Sequence, residues 1–294
     1  MSCNDGEDER PVTPLESDCC GYGCNPCIHD VHRDLIDKWE RRRISKAGFS
    51  VRKNVLSLTK YKPFVISELK QACANCIFIR LNYGGLEDAD TQLFLSPGQH
   101  VILRTSISSR PYTQISWTTN SLLLLVKIYS NGKFSKSLGQ MKVGEDIEVR
   151  GPYGEFRYQP NSFEEILMLS IGTGIAALYP IAKSIVDDEL EESRIHLICG
   201  FKSHAHIPLA NELRDLSHYW NFSCTIKLSQ IDSAKRINGV RIESGHLEEN
   251  TVTRFLESRS PKSTLVLICG TPEFNKAATQ WISALKFINF HVFD

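Results

Sequence analysis

The hydrophobic rhythm of this chain changes once, near residue 160. Before that point apolar residues come in short runs broken by turn residues. They predict strands over Pro63–Leu69, Cys76–Asn82, His100–Thr105, Tyr112–Thr118, Leu122–Tyr129 and Asp146–Arg150. Gly84-Gly85, Pro97-Gly98, Asn131-Gly132 and Gly151-Pro152 punctuate them. Strands at this spacing, with little helix between, predict a small antiparallel barrel. After 160 strands alternate with helices. Ile166–Ser170 reads as a buried strand, followed by a glycine turn and a helix through about Val186. Strands Arg194–Gly200, Phe222–Leu228 and Leu265–Cys269 follow, with a helix near Ala210–Tyr219. Phe274, Ala277, Ala278, Trp281, Ile282 and Leu285 then recur at helical spacing. This half is expected to be a parallel sheet covered by helices. Near the N-terminus Val31, Leu35, Ile36 and Trp39 predict one short amphipathic helix, whose basic end Arg41-Arg42-Arg43 suits a helix C-terminus.

The 294 residues allow about two domains of roughly 150 residues each. The expected division is a disordered acidic tail at 1–18, a Cys-rich segment at 19–45, a barrel at 58–158 and an α/β domain at 162–294. Lys plus Arg and Asp plus Glu both number 34, which makes no case for nucleic acid. No apolar run approaches the roughly 20 residues of a membrane helix. Ser2 stands where N-myristoylation needs glycine, and the start is too acidic for a transit peptide. Ten cysteines without a secretory signal suggest reduced thiols in an intracellular compartment, the cytoplasm ahead of the mitochondrion.

Candidate chemistry concentrates in Arg110-Pro111-Tyr112-Thr113-Gln114-Ile115-Ser116. As one strand it would place Arg110, Tyr112, Gln114 and Ser116 on a common face. That face offers a guanidinium for a pyrophosphate, a ring for a flat heterocycle and hydroxyls for its edge, as a bound flavin dinucleotide requires. An ordinary edge strand has equal claim. Gly172-Thr173-Gly174 lies where a buried strand meets a helix, a place suited to a dinucleotide phosphate but also to a plain turn. Cys269-Gly270-Thr271-Pro272 ends the last buried strand. Thr271 and Pro272 suit a helix start, and Cys269 suits a core. Asn131-Gly132-Lys133-Phe134-Ser135 reads as a loop whose amides, lysine and serine hold a pyrophosphate, or as an exposed hairpin turn.

In this order and spacing the stretches resemble the ferredoxin–NADP reductase superfamily, with the NADH–cytochrome b5 reductase branch the nearest match over about residues 60 to 294. Arg110-Pro-Tyr-Thr…Ser116 resembles that family's flavin strand and Val126-Lys127-Ile128-Tyr129 its next strand. Gly132-Lys133-Phe134-Ser135 resembles its flavin-phosphate loop, and Gly151-Pro-Tyr-Gly-Glu-Phe156 its interdomain hinge. Gly172-Thr-Gly-Ile175 and Cys269-Gly-Thr-Pro272 resemble its two pyridine-nucleotide motifs. The resemblance implies an FAD enzyme that takes electrons from NADH and passes them to a one-electron acceptor such as cytochrome b5. It implies that Arg110, Lys133 and Ser135 hold FAD phosphates, Tyr112 packs on the flavin and Thr113 bonds near its reactive nitrogen. Pro111, Ser116, Val126, Lys127, Tyr129, Gly132 and Phe134 complete that site. Gly172, Thr173, Gly174 and Gly270 receive the nucleotide, with Cys269 beside the nicotinamide. NADH is favoured over NADPH because Ser229-Gln230-Ile231-Asp232 lacks an arginine for a 2′-phosphate, and Asp232 suits a ribose hydroxyl. Where the family commonly has Thr-Pro, this chain has Ala176-Ala177. That departure keeps a second reading open, in which a non-catalytic assembly protein retains the fold.

Cys19-x4-Cys24-x2-Cys27 matches a plant-type [2Fe–2S] spacing, but the segment is too short for a ferredoxin domain. A structural zinc on Cys19 or Cys20, Cys24 and Cys27 with His29 or His32, or no metal, are the other readings. The segment through Trp39-Glu40 resembles an "oxidoreductase-like" N-terminal domain.

Overall fold

The computed structural model describes residues 10–14, 32–33, 35–36, 39, 53–85, 91–231 and 236–293. Residues 54–87 and 92–294 form one compact unit. In the other unit His32, Arg33, Leu35, Ile36 and Trp39 are helical. Cys19, Cys20, Cys24 and Cys27 lie outside the described residues, as does Asp232.

The larger unit opens with antiparallel strands β1 (Lys62–Cys73), β2 (Cys76–Asn82), β3 (His100–Arg104), β4 (Ser109–Tyr112), β5 (Gln114–Trp117), β6 (Ser121–Lys127) and β7 (Asp146–Tyr153), with helix α1 (Lys133–Gln140) before β7. Their order is β4-β3-β7-β1-β2-β6-β5. The two end strands are separated only by Thr113, so the sheet's edges meet at one bend and the sheet closes into a barrel. Leu122, Leu124 and Val126 point into the barrel core with Phe64, Ile66, Ile79 and Leu81. Leu125, on the other face of β6, shares a core with Ile115, Phe156 and the α/β domain. The run Leu122–Val126 is continuously apolar because β6 is covered on both faces.

The second half contains β8 (Glu165–Ile171), α2 (Ile175–Val186), β9 (Arg194–Phe201), α3 (Ala210–Leu216), β10 (Phe222–Leu228), β11 (Val240–Ser244), α4 (Glu249–Leu256), β12 (Thr264–Cys269), α5 (Pro272–Ala284) and β13 (Phe290–Phe293). All six strands run parallel, in the order β11-β10-β9-β8-β12-β13. The chain moves outward from β8 through β11, then crosses to β12 on the other side of β8. Open α/β sheets place ligands at such a switch point, beyond the strands' C-terminal ends. Thr271 caps α5 as expected: its Oγ1 accepts from the Phe274 N–H at 3.3 Å.

Three elements of the α/β half escape the hydrophobic pattern. β11 and β13 are edge strands with few buried residues, and α4 buries only Val252 and Leu256. Position rather than periodicity creates them. β11 also supplies a partner for a buried cation: Lys227 Nζ, on β10, lies 2.7 Å from Glu243 Oε2. The ammonium holds the Glu243 carboxyl below the usual carboxylate range, opposed by burial. A lowered carboxyl pKa stabilises the fold above the ordinary carboxylate range, and that contribution fades as pH falls through the folded value. Lys227→Met should cost about 1–3 kcal/mol, because Glu243 then keeps only the exposed Arg241, 3.4 Å away. The loss should shrink as pH falls through the lowered folded value of Glu243. Urea titration at pH 7 and below 4 checks this, and an unchanged pH 7 midpoint contradicts it.

Candidate active site

The switch point is built by two backbone turns pressed together. Gly172–Gly174 forms a single 3-10 turn between β8 and α2. Gly172 has φ of +56°, and a Cβ there would meet open space, which leaves its backbone accessible from the cleft. Gly174 differs: a Cβ built on it would sit 2.1 Å from the Cys269 carbonyl oxygen. Gly270 is packed against Ile171 and Phe274, with 2.6 Å to each from a built Cβ. Gly174 and Gly270 therefore let β8 and β12 deliver their turns side by side, while Gly172 leaves the room for a ligand.

On the barrel side, a cleft of about 930 Å3 runs from Ile107 and Arg110 past Tyr112 to α1, and reaches Thr173, Gly174, Ala176, Ala177, Cys269 and Gly270 of the α/β domain. Arg110, Pro111, Tyr112, Thr113, Lys127, Tyr129, Gly132, Lys133, Phe134 and Ser135 all line it. The Tyr112 ring stacks on Phe134, with centroids 6.0 Å apart and planes at 25°. Burial, and then the neighbouring Tyr129, push the Tyr112 hydroxyl up to about 12 against the opposing charge of Arg110. That hydroxyl keeps its proton, and so its donor, across the neutral range. Arg110, Lys127 and Lys133 bring three cations to the lining, and among the described residues no carboxylate accompanies them. Burial lowers the pKa of His100, which lines the same wall and stacks on Tyr153 at 5.8 Å, so the ring stays neutral near pH 7. The cleft suits a polyanion with an aromatic head.

A second cleft, about 660 Å3, lies over Gly172, Thr173 and Gly174 and is lined by Lys202, His206, Lys227, Ser229 and His246. The clefts share Lys127, Tyr129, Thr173, Gly174 and Gly270.

Three expectations change. Arg110–Ser116 is not one strand with one chemical face. The chain bends at Thr113, and a one-residue irregularity follows between Gln114 and Ser116. Gln114 is fully buried, its Nε2 donating to the Gln99 carbonyl at 2.9 Å, whereas Ser116 is exposed and lines neither cleft. Val126 also lines neither, because period-two alternation turns its side chain into the barrel and presents Leu125 and Lys127 instead. Finally, 131–135 is not a plain loop. Gly132 is the N-cap of α1, so the first N–H groups of a helix face the cleft rather than a turn. Ser135 Oγ is engaged locally, accepting from the Tyr129 N–H at 3.1 Å and donating to the Gly132 carbonyl at 3.3 Å. Sequence reasoning missed His100, Ile107, Ser108 and Leu125, whose residue types carry no signal of their own. On β13, Phe293 packs edge-on against Phe156 of the hinge, with centroids 5.2 Å apart.

Residues 63–158 match the oxidoreductase FAD-binding domain, 168–280 the oxidoreductase NAD-binding domain and 8–47 the N-terminal domain of oxidoreductase-like proteins. A human protein named NADH-cytochrome b5 reductase-like is 34% identical over 91% of this chain and 88% of its own length. The chain belongs to the NADH–cytochrome b5 reductase-like family. It is a flavoprotein oxidoreductase with binding domains for FAD and NAD. A mouse member is 32% identical over 91% of this chain and 89% of its own length. The cytochrome b5 reductase domain of Ulva prolifera nitrate reductase superposes with a TM-score of 0.71 at 25% identity, covering 81% of this chain and 99% of that one. The residues present fit FAD. The three-cation lining without carboxylates and the stacked Tyr112 and Phe134 match a pyrophosphate joined to a planar ring. Among the described residues no helix is long and apolar enough to cross a membrane, and no cluster of three metal-ligating side chains occurs.

Proposed function

We propose that this reductase-like protein carries electrons from NADH, by way of bound FAD, to a one-electron acceptor protein such as cytochrome b5. One observation carries the reading: the nucleotide cleft opens directly into the cation-lined cleft, with Lys127, Tyr129, Thr173, Gly174 and Gly270 in the wall of both. FAD, when bound, supplies a carrier that accepts two electrons and releases them singly. Arg110, Lys133 and the N-terminus of α1 hold its pyrophosphate. Tyr112 lies against its ring system and donates from a hydroxyl that stays protonated, while Thr113 offers a hydroxyl at the bend. Gly172 admits the NADH pyrophosphate, Thr173 presents a hydroxyl where the two clefts join, and Cys269 closes the nicotinamide end. Ala176 and Ala177 place methyl groups on this wall, so Thr173 is the hydroxyl available from the first turn of the α/β domain.

The names of the relatives and the absence of an arginine in Ser229-Gln230-Ile231 support NADH. Steady-state assays with soluble cytochrome b5 should give a kcat/KM for NADH about tenfold or more above that for NADPH, a difference of about 1.4 kcal/mol. Turnover with ferricyanide but not with cytochrome b5 would move the acceptor to another one-electron protein. No turnover with any acceptor would support the assembly role.

A further inference from the structure

Cys73 and Cys76 flank the two-residue turn between β1 and β2 and are direct register partners. Opposed residues of an antiparallel pair lie roughly 4.5–5.5 Å apart at Cα, within the span a disulfide bridges. The turn is tightly held. The Gln71 carboxamide donates to the carbonyls of both cysteines, and Asn75 Oδ1 lies 3.7 Å from Cys73 Sγ and 3.4 Å from Cys76 Sγ. Its position joins it to the site: Asn75 and Cys76 line the nucleotide cleft. The Ala74 N–H donates to the Ala205 carbonyl of the α/β domain at 2.7 Å, and the Ile128 N–H donates to the Asn75 carbonyl at 2.8 Å. Lys127, which lines both clefts, is the register partner of Cys76 on β6.

We propose that Cys73 and Cys76 form a reversible disulfide with hydrogen peroxide as oxidant, and that this disulfide weakens pyridine-nucleotide binding. The geometry is supported by the chemistry of the pair. A hydrogen bond from the Cys76 thiol, with help from backbone N–H groups and Lys127, brings Cys73 down to about 6 against the upward push of burial. The same hydrogen bond and burial push Cys76 up, so it keeps its proton. Cys73 is therefore the more acidic of the two thiols, and its thiolate is the form that reacts. Cys76 lines the cleft and both residues are nearly buried, so the proposed oxidant is a small one.

In the reaction the Cys73 sulfur attacks one peroxide oxygen, the O–O bond breaks, and the departing hydroxide takes a proton to become water. Cys73 is left as a sulfenic acid. Cys76 gives up its proton, its sulfur attacks the Cys73 sulfur, and the S–O bond breaks to release a second water. Two thiols are oxidised to one disulfide and one peroxide is reduced to two waters. A second thiol pair, Cys199 and Cys224, is buried inside the α/β sheet, lines neither cleft, and has Cys224 held protonated by its bond to Cys199 and by burial. It serves as an internal control. The effect on the nucleotide rests on the cleft assignment made above; formation of the disulfide does not.

Treating the reduced full chain with hydrogen peroxide, then alkylating and digesting it, should yield a Cys73–Cys76 peptide lighter by two hydrogens and restored by dithiothreitol. The KM for NADH should rise by about fivefold or more, the low end of ordinary coupling between sites. Cys73→Ser and Cys76→Ser should each abolish both effects, and Cys199→Ser should keep both. Full alkylation of both cysteines after peroxide overturns the site. A disulfide that leaves the KM unchanged overturns its link to the nucleotide.

Discussion

Arg110→Ala is expected to fold normally and to lose most of its FAD. Arg110 is exposed, and its hydrogen bond from Nη1 to the Ser109 carbonyl at 2.8 Å is local. Its removal leaves the barrel core untouched. What it removes is one of three cations lining a cleft that carries no carboxylate. A charged hydrogen bond contributes about 1.5–3 kcal/mol, so the Kd for FAD should rise about 10- to 150-fold. Flavin absorbance relative to protein absorbance after gel filtration reads the loss directly. Far-ultraviolet circular dichroism should be unchanged. Full flavin occupancy in this variant would remove the pyrophosphate role from Arg110 and from the cation cluster it anchors.

Gly174→Val should act in the opposite way, through the scaffold. Even a methyl at this position would lie 2.1 Å from the Cys269 carbonyl oxygen, an atom of the backbone that no rotamer change can move aside. The turns after β8 and β12 must separate, at a cost of about 1–3 kcal/mol or more for overpacking. At this chain length, with about 2 °C per kcal/mol, that corresponds to a fall in Tm of roughly 2–6 °C. Because both turns line both clefts, NADH should bind poorly even at temperatures where the protein remains folded. Gly172→Ala is the matching test, since its Cβ would meet open space and only the left-handed backbone is strained. It should cost about 1–2 kcal/mol. A smaller loss of stability at Gly174 than at Gly172 would contradict the close-packed turn.

These glycines show what was legible in the sequence. The strand–Gly172-Thr173-Gly174–helix succession was readable because a continuous apolar strand followed by a helical stripe dictates a turn. That Gly174 presses on Cys269 was not readable, because the contact joins segments far apart in the chain. The alternation of the barrel strands was likewise open to reading, and it placed Arg110 and Tyr112 in the cleft with Lys127. It failed at Thr113. A strand that bends to close a barrel breaks the period of two, so Gln114 turned inward and Ser116 turned away. The start of α1 was missed for a different reason. Asn131-Gly132 carries strong turn chemistry, and the same glycine that ends a turn also caps a helix. Edge elements β11 and β13 left little hydrophobic signature because so few of their residues are buried. Cys73 and Cys76 were not singled out in the sequence as a pair; the strand register sets them opposite one another.

The central claim is that one chain holds FAD and NADH in adjoining clefts and moves electrons between them. Anaerobic titration of the purified protein with NADH tests it most directly. The expected result is a yellow protein whose flavin absorbance bleaches with one equivalent of NADH per flavin and returns on admission of an oxidised one-electron acceptor. A colourless protein that takes up no FAD, or a yellow one that NADH leaves unbleached, would contradict it.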